Sequence, residues 1–198
     1  WAKDNNHSFL RFDYSGHGQS SGKIETTCFS DWYQDAEYII NTKTRDKQIL
    51  IGSSMGAWIM LMLAKRIPEK ISAMIGLAPA PDFPKILIWD KMSGDEKRKL
   101  IKNKKISIKY EDGSKNDFSY KLIKDSFKNL TLSESIYFNG PVYLYHGMVD
   151  DAVPYDLSIK IINTIKGTND IKLLLEKDAG HRLSELNQLK NITNIIEE

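Results

Sequence analysis

Three residues of the sequence, a serine, an aspartate and a histidine, have the types and surroundings that nucleophilic catalysis requires. The serine, Ser54, is the centre of a Gly-x-Ser-x-Gly pattern over residues 52–56, between a strand-like run and an apolar helical run. Such a turn pushes its serine out at the top of a strand in a strained backbone geometry. We therefore predict that Ser54 is a nucleophile. The competing interpretation is a glycine-rich turn with an inert serine.

The neighbours of Ser54 in this turn carry two further predictions. Gly52 and Gly56 are expected to be required, because a side chain there would collide with the neighbouring strand or helix. Met55 follows the serine and begins the apolar helix. Its backbone amide is therefore the predicted donor to an oxyanion.

A base and an acid follow later in the chain, in the order Ser, Asp, His. Asp150 comes after one predicted strand and His181 after the next, both at carboxyl ends of strands, the edge of a parallel sheet where Ser54 emerges. We predict that His181 takes the serine proton and that Asp150 orients His181. Asp151 is the competing acid. His17, on an earlier loop, is expected to be a local hydrogen-bonding residue.

Composition excludes several other classes of function. The net charge is only +2 and the basic residues form no tract, so no nucleic-acid partner is implied. The longest apolar run, Ala57 to Ala64, is far too short to span a bilayer. Cys28 is the only cysteine and the four histidines are not at metal-ligand spacing, so we expect no metal and no cofactor. The oligomeric state is not predicted.

The order of elements predicts the fold class. Strands alternate with helices over short links, which indicates an α/β fold with a mostly parallel sheet covered on both faces. The five predicted strands cover residues 8–12, 48–51, 71–77, 142–145 and 171–175. Three regions follow: a first core part over 1–78, a cap insertion over 79–139 and a second core part over 140–198.

The cap insertion lacks a clean strand–helix rhythm. Residues 93–96 form a capping box before a charged helix, and residues 106–110 and 118–120 suggest a hairpin. An insertion at this point would lie above the serine. The residues predicted to bind substrate are Phe83, Leu87, Trp89 and Met148. In the alternative interpretation the apolar residues of the cap only hold it to the sheet.

These motifs resemble those of the α/β-hydrolases. Residues 146–154, His-Gly-x-x-Asp-x-x-Val-Pro, look like the acid turn of that family, and residues 179–181, Ala-Gly-His, look like its histidine loop. Residues 11–20, 78–83 and 178–184 narrow the similarity to bacterial relatives of a mitochondrial palmitoyl-protein thioesterase that also cleaves acyl glucuronides. The similarity covers essentially the whole chain. Ala57 departs from it mildly, where many relatives carry a second glycine.

The resemblance implies a sheet of the α/β-hydrolase type whose first strands are missing, with the second oxyanion donor outside the chain. It implies a serine hydrolase that cleaves acyl esters or thioesters of a small molecule or an acyl-protein, in the bacterial cytoplasm. A targeting segment before Trp1 is left open. A serine peptidase of the same fold and a non-catalytic binding module remain as alternatives.

Overall fold

The computed structural model describes residues 1–109, 113 and 115–197. Its α-helices are α1 (Phe29–Lys43), α2 (Met55–Arg66), α3 (Gly94–Asn103), α4 (Tyr120–Ser126), α5 (Asp156–Thr164) and α6 (Leu186–Glu197). Its strands are β1 (Gln48–Ser53), β2 (Ile71–Leu77), β3 (Lys105–Lys109), β4 (Lys115–Ser119), β5 (Ile136–Tyr137), β6 (Val142–Gly147), β7 (Ile165–Lys166) and β8 (Ile171–Glu176). Short 3-10 helices cover Ile24–Thr26, Pro68–Lys70 and Trp89–Lys91, and a π-helix covers Pro84–Ile88.

A four-stranded parallel sheet in the order β1-β2-β6-β8 forms the centre of the molecule. Four of the five predicted strands form this sheet, so the mostly parallel α/β architecture is confirmed. The strand predicted over residues 8–12 is wrong. A strand needs a neighbour to satisfy its backbone groups, and this segment pairs with none in the part of the chain that the structure describes.

Helix α2 lies in the core and starts at the serine turn. Every residue from Ala57 to Ala64 is buried, as expected for a helix that is apolar on all sides. Trp58 stacks on Phe29 of α1 with ring centroids 3.5 Å apart. The start of α2 is thus fixed by packing on more than one side.

The chain between β2 and β6 contains the predicted cap elements. The capping box is formed: the Ser93 amide donates to Glu96 Oε2 at 2.8 Å and the Glu96 amide donates to Ser93 Oγ at 3.3 Å, at the start of α3. Strands β3 and β4 pair antiparallel and form the predicted hairpin. Residues 110–112 and 114 of the predicted hairpin lie outside the described residues.

Within this segment, a buried carboxylate at residue 82 bonds to residues 131 and 132. Asp82 follows β2 with φ of 56° and is only 2% exposed. It accepts hydrogen bonds from the Thr131 amide at 2.8 Å, the Thr131 hydroxyl at 2.9 Å and the Leu132 amide at 3.0 Å. Burial raises the pKa of Asp82, although these hydrogen bonds oppose the shift. We refer to this contact as the Asp82 clasp.

None of the helices in the described ranges combines the length and apolarity needed to cross a bilayer.

Candidate active site

The serine turn has the backbone geometry that its sequence predicts. Ser54 has φ of 52° and ψ of −115°, a conformation that non-glycine residues rarely adopt, and α2 begins at the next residue. A Cβ on Gly52 would lie 2.5 Å from the Gly56 carbonyl oxygen, so Gly52 is required. The same expectation for Gly56 is wrong. A Cβ there would meet the Tyr14 hydroxyl at 4.0 Å, an ordinary contact.

Two backbone hydrogen bonds hold Ser54 against the next strand. The Ser54 amide donates to the Leu77 carbonyl at 2.8 Å, and the Ala80 amide donates to the Ser54 carbonyl at 3.1 Å. Both the amide and the carbonyl of the strained residue are therefore bonded, one to the last residue of β2 and the other to the chain just after it. Strain of this kind persists only where surrounding contacts over-determine it.

The structure brings Ser54, His181 and Asp150 into one hydrogen-bonded chain. The distance from Ser54 Oγ to His181 Nε2 is 3.1 Å, and from His181 Nδ1 to Asp150 Oδ2 it is 2.7 Å. A neutral imidazole here donates from Nδ1 to the carboxylate and accepts the serine proton at Nε2. Asp151, the competing acid, is exposed and lies on a cavity wall.

The Asp150 carboxylate receives four hydrogen bonds. Its Oδ2 accepts from His181 and from His146 Nε2 at 3.1 Å, and its Oδ1 accepts from the amides of Ala152 at 2.9 Å and Val153 at 2.8 Å. Burial alone would raise the pKa of Asp150, but the hydrogen bonds outweigh it and hold that pKa well below its usual range. Asp150 is thus a buried, ionised acceptor for His181.

Close backbone contact fixes the loop that carries His181. The Ala179 carbonyl accepts from the Val149 amide at 3.1 Å. It lies so near the end of β6 that a Cβ on Gly147 would be 2.1 Å from its oxygen. The loop after β8 therefore rests on the loop after β6, which sets the spacing between His181 and Asp150.

Met55 is the first residue of α2 and lies on the wall of the cavity beside Ser54. The first amides of a helix have no acceptor within it and lie at the positive end of its dipole. The amide of Met55 is thus suited to a developing oxyanion.

A cavity of about 930 Å³ opens over Ser54 and His181. Its apolar wall includes Phe83 and Leu87, two of the residues proposed to bind substrate, together with Ile108 and Phe118 of the hairpin. Charged side chains also line it: Lys91, Lys109, Asp151, Asp178, Arg182 and Glu185. An apolar group therefore has contact surface near the serine, with polar surface around it.

The other two predicted substrate-binding residues lie elsewhere. Trp89 is not on the described wall of the cavity. Its ring packs among residues between β2 and β6, 5.7 Å from the ring of Phe127 and 6.4 Å from that of Tyr120, with Lys97 Nζ 5.1 Å from its centroid. The alternative, in which such a residue holds the cap to the sheet, does not describe these ring contacts either, because Tyr120, Phe127 and Lys97 lie outside the central sheet. Met148 is 40% exposed and is likewise absent from the described wall.

Sequence reasoning missed the contribution of the hairpin and of His146. Ile106, Ile108 and Phe118 alternate with polar residues, a pattern that gives a hairpin one apolar face but not its direction. His146 stood in the recognised acid turn without a role of its own.

Comparisons with known proteins agree with this fold. Residues 2–104, just over half of the chain, match the family described as alpha/beta hydrolase fold. A putative hydrolase from Agrobacterium vitis S4 superposes with a TM-score of 0.93 at 32% identity, over 99% of this chain and 77% of that one. Mouse alpha/beta hydrolase domain-containing protein 10 superposes with a TM-score of 0.92 at 30% identity, over 99% and 78%.

A human protein named palmitoyl-protein thioesterase ABHD10, mitochondrial, is 32% identical over 200 residues. The match spans 100% of this chain and 65% of the human protein. That name describes the human protein, and the bacterial cytoplasmic location stays a prediction for this chain. The family match, the parallel sheet and the two close structural relatives agree: the chain belongs to the α/β-hydrolase fold family and is related to ABHD10.

Proposed function

We propose that the protein is a serine hydrolase that cleaves carboxylic acyl esters or thioesters through an acyl-enzyme. The observation that carries the proposal is the hydrogen-bonded chain from Ser54 Oγ through His181 to Asp150, at 3.1 and 2.7 Å. These distances are within the reach that a nucleophile, its base and an orienting acid require. The name of the human relative, a palmitoyl-protein thioesterase, supports the choice of an acyl thioester as one substrate.

In the first half-reaction, Ser54 Oγ attacks the acyl carbonyl carbon while His181 Nε2 takes the hydroxyl proton. The carbonyl oxygen becomes an oxyanion that accepts a hydrogen bond from the Met55 amide. Asp150 stabilises the imidazolium without being protonated itself. The carbon–oxygen or carbon–sulfur bond then breaks, and His181 returns its proton to the departing alcohol or thiol.

In the second half-reaction, water replaces the leaving group. His181 takes a proton from the water as its oxygen attacks the acyl carbon, and the second oxyanion uses the same donor. The bond to Ser54 Oγ breaks, the serine recovers its proton from His181, and a carboxylic acid leaves.

The cavity supports an acyl group as the recognised part of the substrate. Phe83, Leu87, Ile108 and Phe118 offer apolar contact above the serine. Burial of apolar area contributes about 25 cal/mol per Å², so a longer acyl chain gains more from this wall than acetyl does. The part attached to the acyl group, a small molecule or a protein, faces the polar surroundings.

The test is covalent labelling of the purified full-length protein by a fluorophosphonate, a reagent that phosphonylates activated serines. The wild type is expected to label, Ser53→Ala to label like it, and Ser54→Ala to remain unlabelled. Hydrolysis of butyryl and palmitoyl thioesters is measured beside it. Labelling that survives in Ser54→Ala, or a folded wild type that neither labels nor hydrolyses, contradicts the proposal.

A further inference from the structure

His146 is a fully buried histidine that the mechanism above does not use. It lies in β6, is 0% exposed, and contacts the same oxygen of the Asp150 carboxylate as His181 does. Its Nδ1 is 2.7 Å from the hydroxyl oxygen of Ser158 in α5, which is also 0% exposed. Both ring nitrogens thus have partners inside the protein.

The partners fix which nitrogen carries the hydrogen. Nε2 faces two acceptors, Asp150 Oδ2 at 3.1 Å and the Val153 carbonyl at 3.0 Å, so it must be the donor. The Ser158 hydroxyl can donate to Nδ1, which leaves the ring neutral. The Ser158 hydroxyl thus accommodates the tautomer that presents a hydrogen to Asp150.

The consequence for Asp150 is that one oxygen serves two histidines. Oδ2 accepts from His181 and from His146, and a lone pair shared with a second donor binds the first less strongly. The hydrogen bonds to the charged form also keep the carboxylate ionised, in agreement with the lowered pKa of Asp150.

We propose that His146 is a positioning residue for the hydrolase reaction: through Asp150 Oδ2 it holds the acid in place and limits how strongly that acid attracts the proton of His181. The inference rests on the proposed function of Ser54, His181 and Asp150. In the competing interpretation, His146 is only structural: it provides hydrogen-bond partners for the Val153 carbonyl and the Ser158 hydroxyl in the core.

A matched pair of amide variants separates these readings. In His146→Gln the side-chain nitrogen reaches the place of Nε2 and can still donate to Asp150. In His146→Asn the side chain ends at the place of Nδ1, where it reaches Ser158 but not Asp150. Both variants bury a neutral amide, and their melting temperatures show whether each is folded.

The first measurement is kcat/KM for p-nitrophenyl butyrate against pH. For His146→Asn we expect about a tenfold lower plateau, the size of one hydrogen bond to a charged group. On the acidic side of its profile, the pH at which kcat/KM reaches half of the plateau should rise by about half to one unit, because an unshared carboxylate holds the imidazolium more tightly. His146→Gln should stay near the wild type in both respects. The charged groups that share the cavity wall with His181 are common to all three proteins: Lys91, Lys109, Asp151, Asp178, Arg182 and Glu185.

The second measurement is an NMR titration of the His181 ring resonances in the same proteins, which needs no turnover. The proposal is supported if the midpoint of this titration rises in His146→Asn but not in His146→Gln. It is overturned if the two folded variants have the same pH profiles, or if the midpoint falls in His146→Asn. A wild type that does not hydrolyse the ester would contradict the proposed function, while the titration would still decide the role of His146.

Discussion

Gly147 offers a test of the contact that spaces the acid from the base. An alanine Cβ at this position would lie 2.1 Å from the Ala179 oxygen, 2.5 Å from the Ala179 carbonyl carbon and 2.7 Å from the Gly180 oxygen. These are backbone atoms, so no side-chain rotation relieves the overlap. Ordinary contact begins near 3.4 Å, so the loop that carries His181 would have to retreat by about 1.3 Å.

A displacement of this size acts on catalysis more than on folding. Overpacking costs about 1–3 kcal/mol of stability, which a folded domain usually survives. A misplacement of about 1 Å in the reacting groups can cost on the order of a hundredfold in rate. We therefore expect Gly147→Ala to be folded at 25 °C with kcat/KM for an ester lowered about a hundredfold.

The matched control is Gly180, one residue before His181. A Cβ there would have no neighbour within 4 Å, so Gly180→Ala should keep its activity and gain slightly in melting temperature through a less flexible unfolded chain. Ester hydrolysis and thermal unfolding are measured for both variants. Wild-type activity in Gly147→Ala, or an equal loss in Gly180→Ala, would refute the reasoning.

Three further predictions remain, two on the acid and one on the cavity. Asp150→Asn should lower turnover on the order of ten-thousandfold and Asp151→Asn far less, and a reversed order of the two losses would assign the acid to Asp151. Because the pKa of Asp150 is lowered in the folded state, its ionisation stabilises the fold above its unfolded pKa, and that contribution is lost as the pH falls. The difference in melting temperature between wild type and Asp150→Asn should therefore narrow below about pH 4, and a constant difference would contradict this. Phe118→Ala should lower the hydrolysis of palmitoyl thioesters more than that of acetyl thioesters, whereas Trp89→Ala should lower melting temperature and affect both substrates alike; the opposite assignment would show that Trp89 contacts the acyl chain.

The positions of Ser54, Asp150 and His181 could be predicted because each depends on a local pattern and one general rule. A strand, a tight turn and an apolar helix are readable within about ten residues, and parallel strands bring their carboxyl ends to one edge. The structure places the three side chains together at that edge. Whether they catalyse the proposed reaction remains the prediction that labelling tests.

The strand over residues 8–12 failed for a non-local reason. Its composition favours a strand, but a strand exists only where a partner supplies hydrogen bonds, and no local pattern reports that partner. The expectation for Gly56 failed similarly. The motif suggested that a side chain at Gly56 would collide with the neighbouring strand or helix. The neighbour of a Cβ there is instead the Tyr14 hydroxyl, far away in the sequence and at an ordinary contact distance.

The prediction for Trp89 uses only its position after β2, which does not give the direction of its side chain. Pro84–Ile88 form a π-helix and Trp89–Lys91 a 3-10 helix, and the two differ in pitch. The change of pitch alters which side chains share a face. Phe83 and Leu87 line the cavity, while Trp89 packs against the rings of α4 and its C-terminal neighbour Phe127.

The Asp82 clasp has a consequence for how such a protein can diverge. It closes the segment from 83 to 130 into a loop, because Asp82 at one end bonds to Thr131 and Leu132 at the other. This loop connects β2 to β6, which are neighbours in the sheet. Doubling the length of a flexible loop costs only about 0.6 kcal/mol of closure entropy. One contiguous stretch of gene could therefore be exchanged by recombination, with Ser54, Asp150 and His181 all encoded outside it. We expect chimaeras joined at the clasp to inherit the acyl preference of the donor and the chemistry of the recipient.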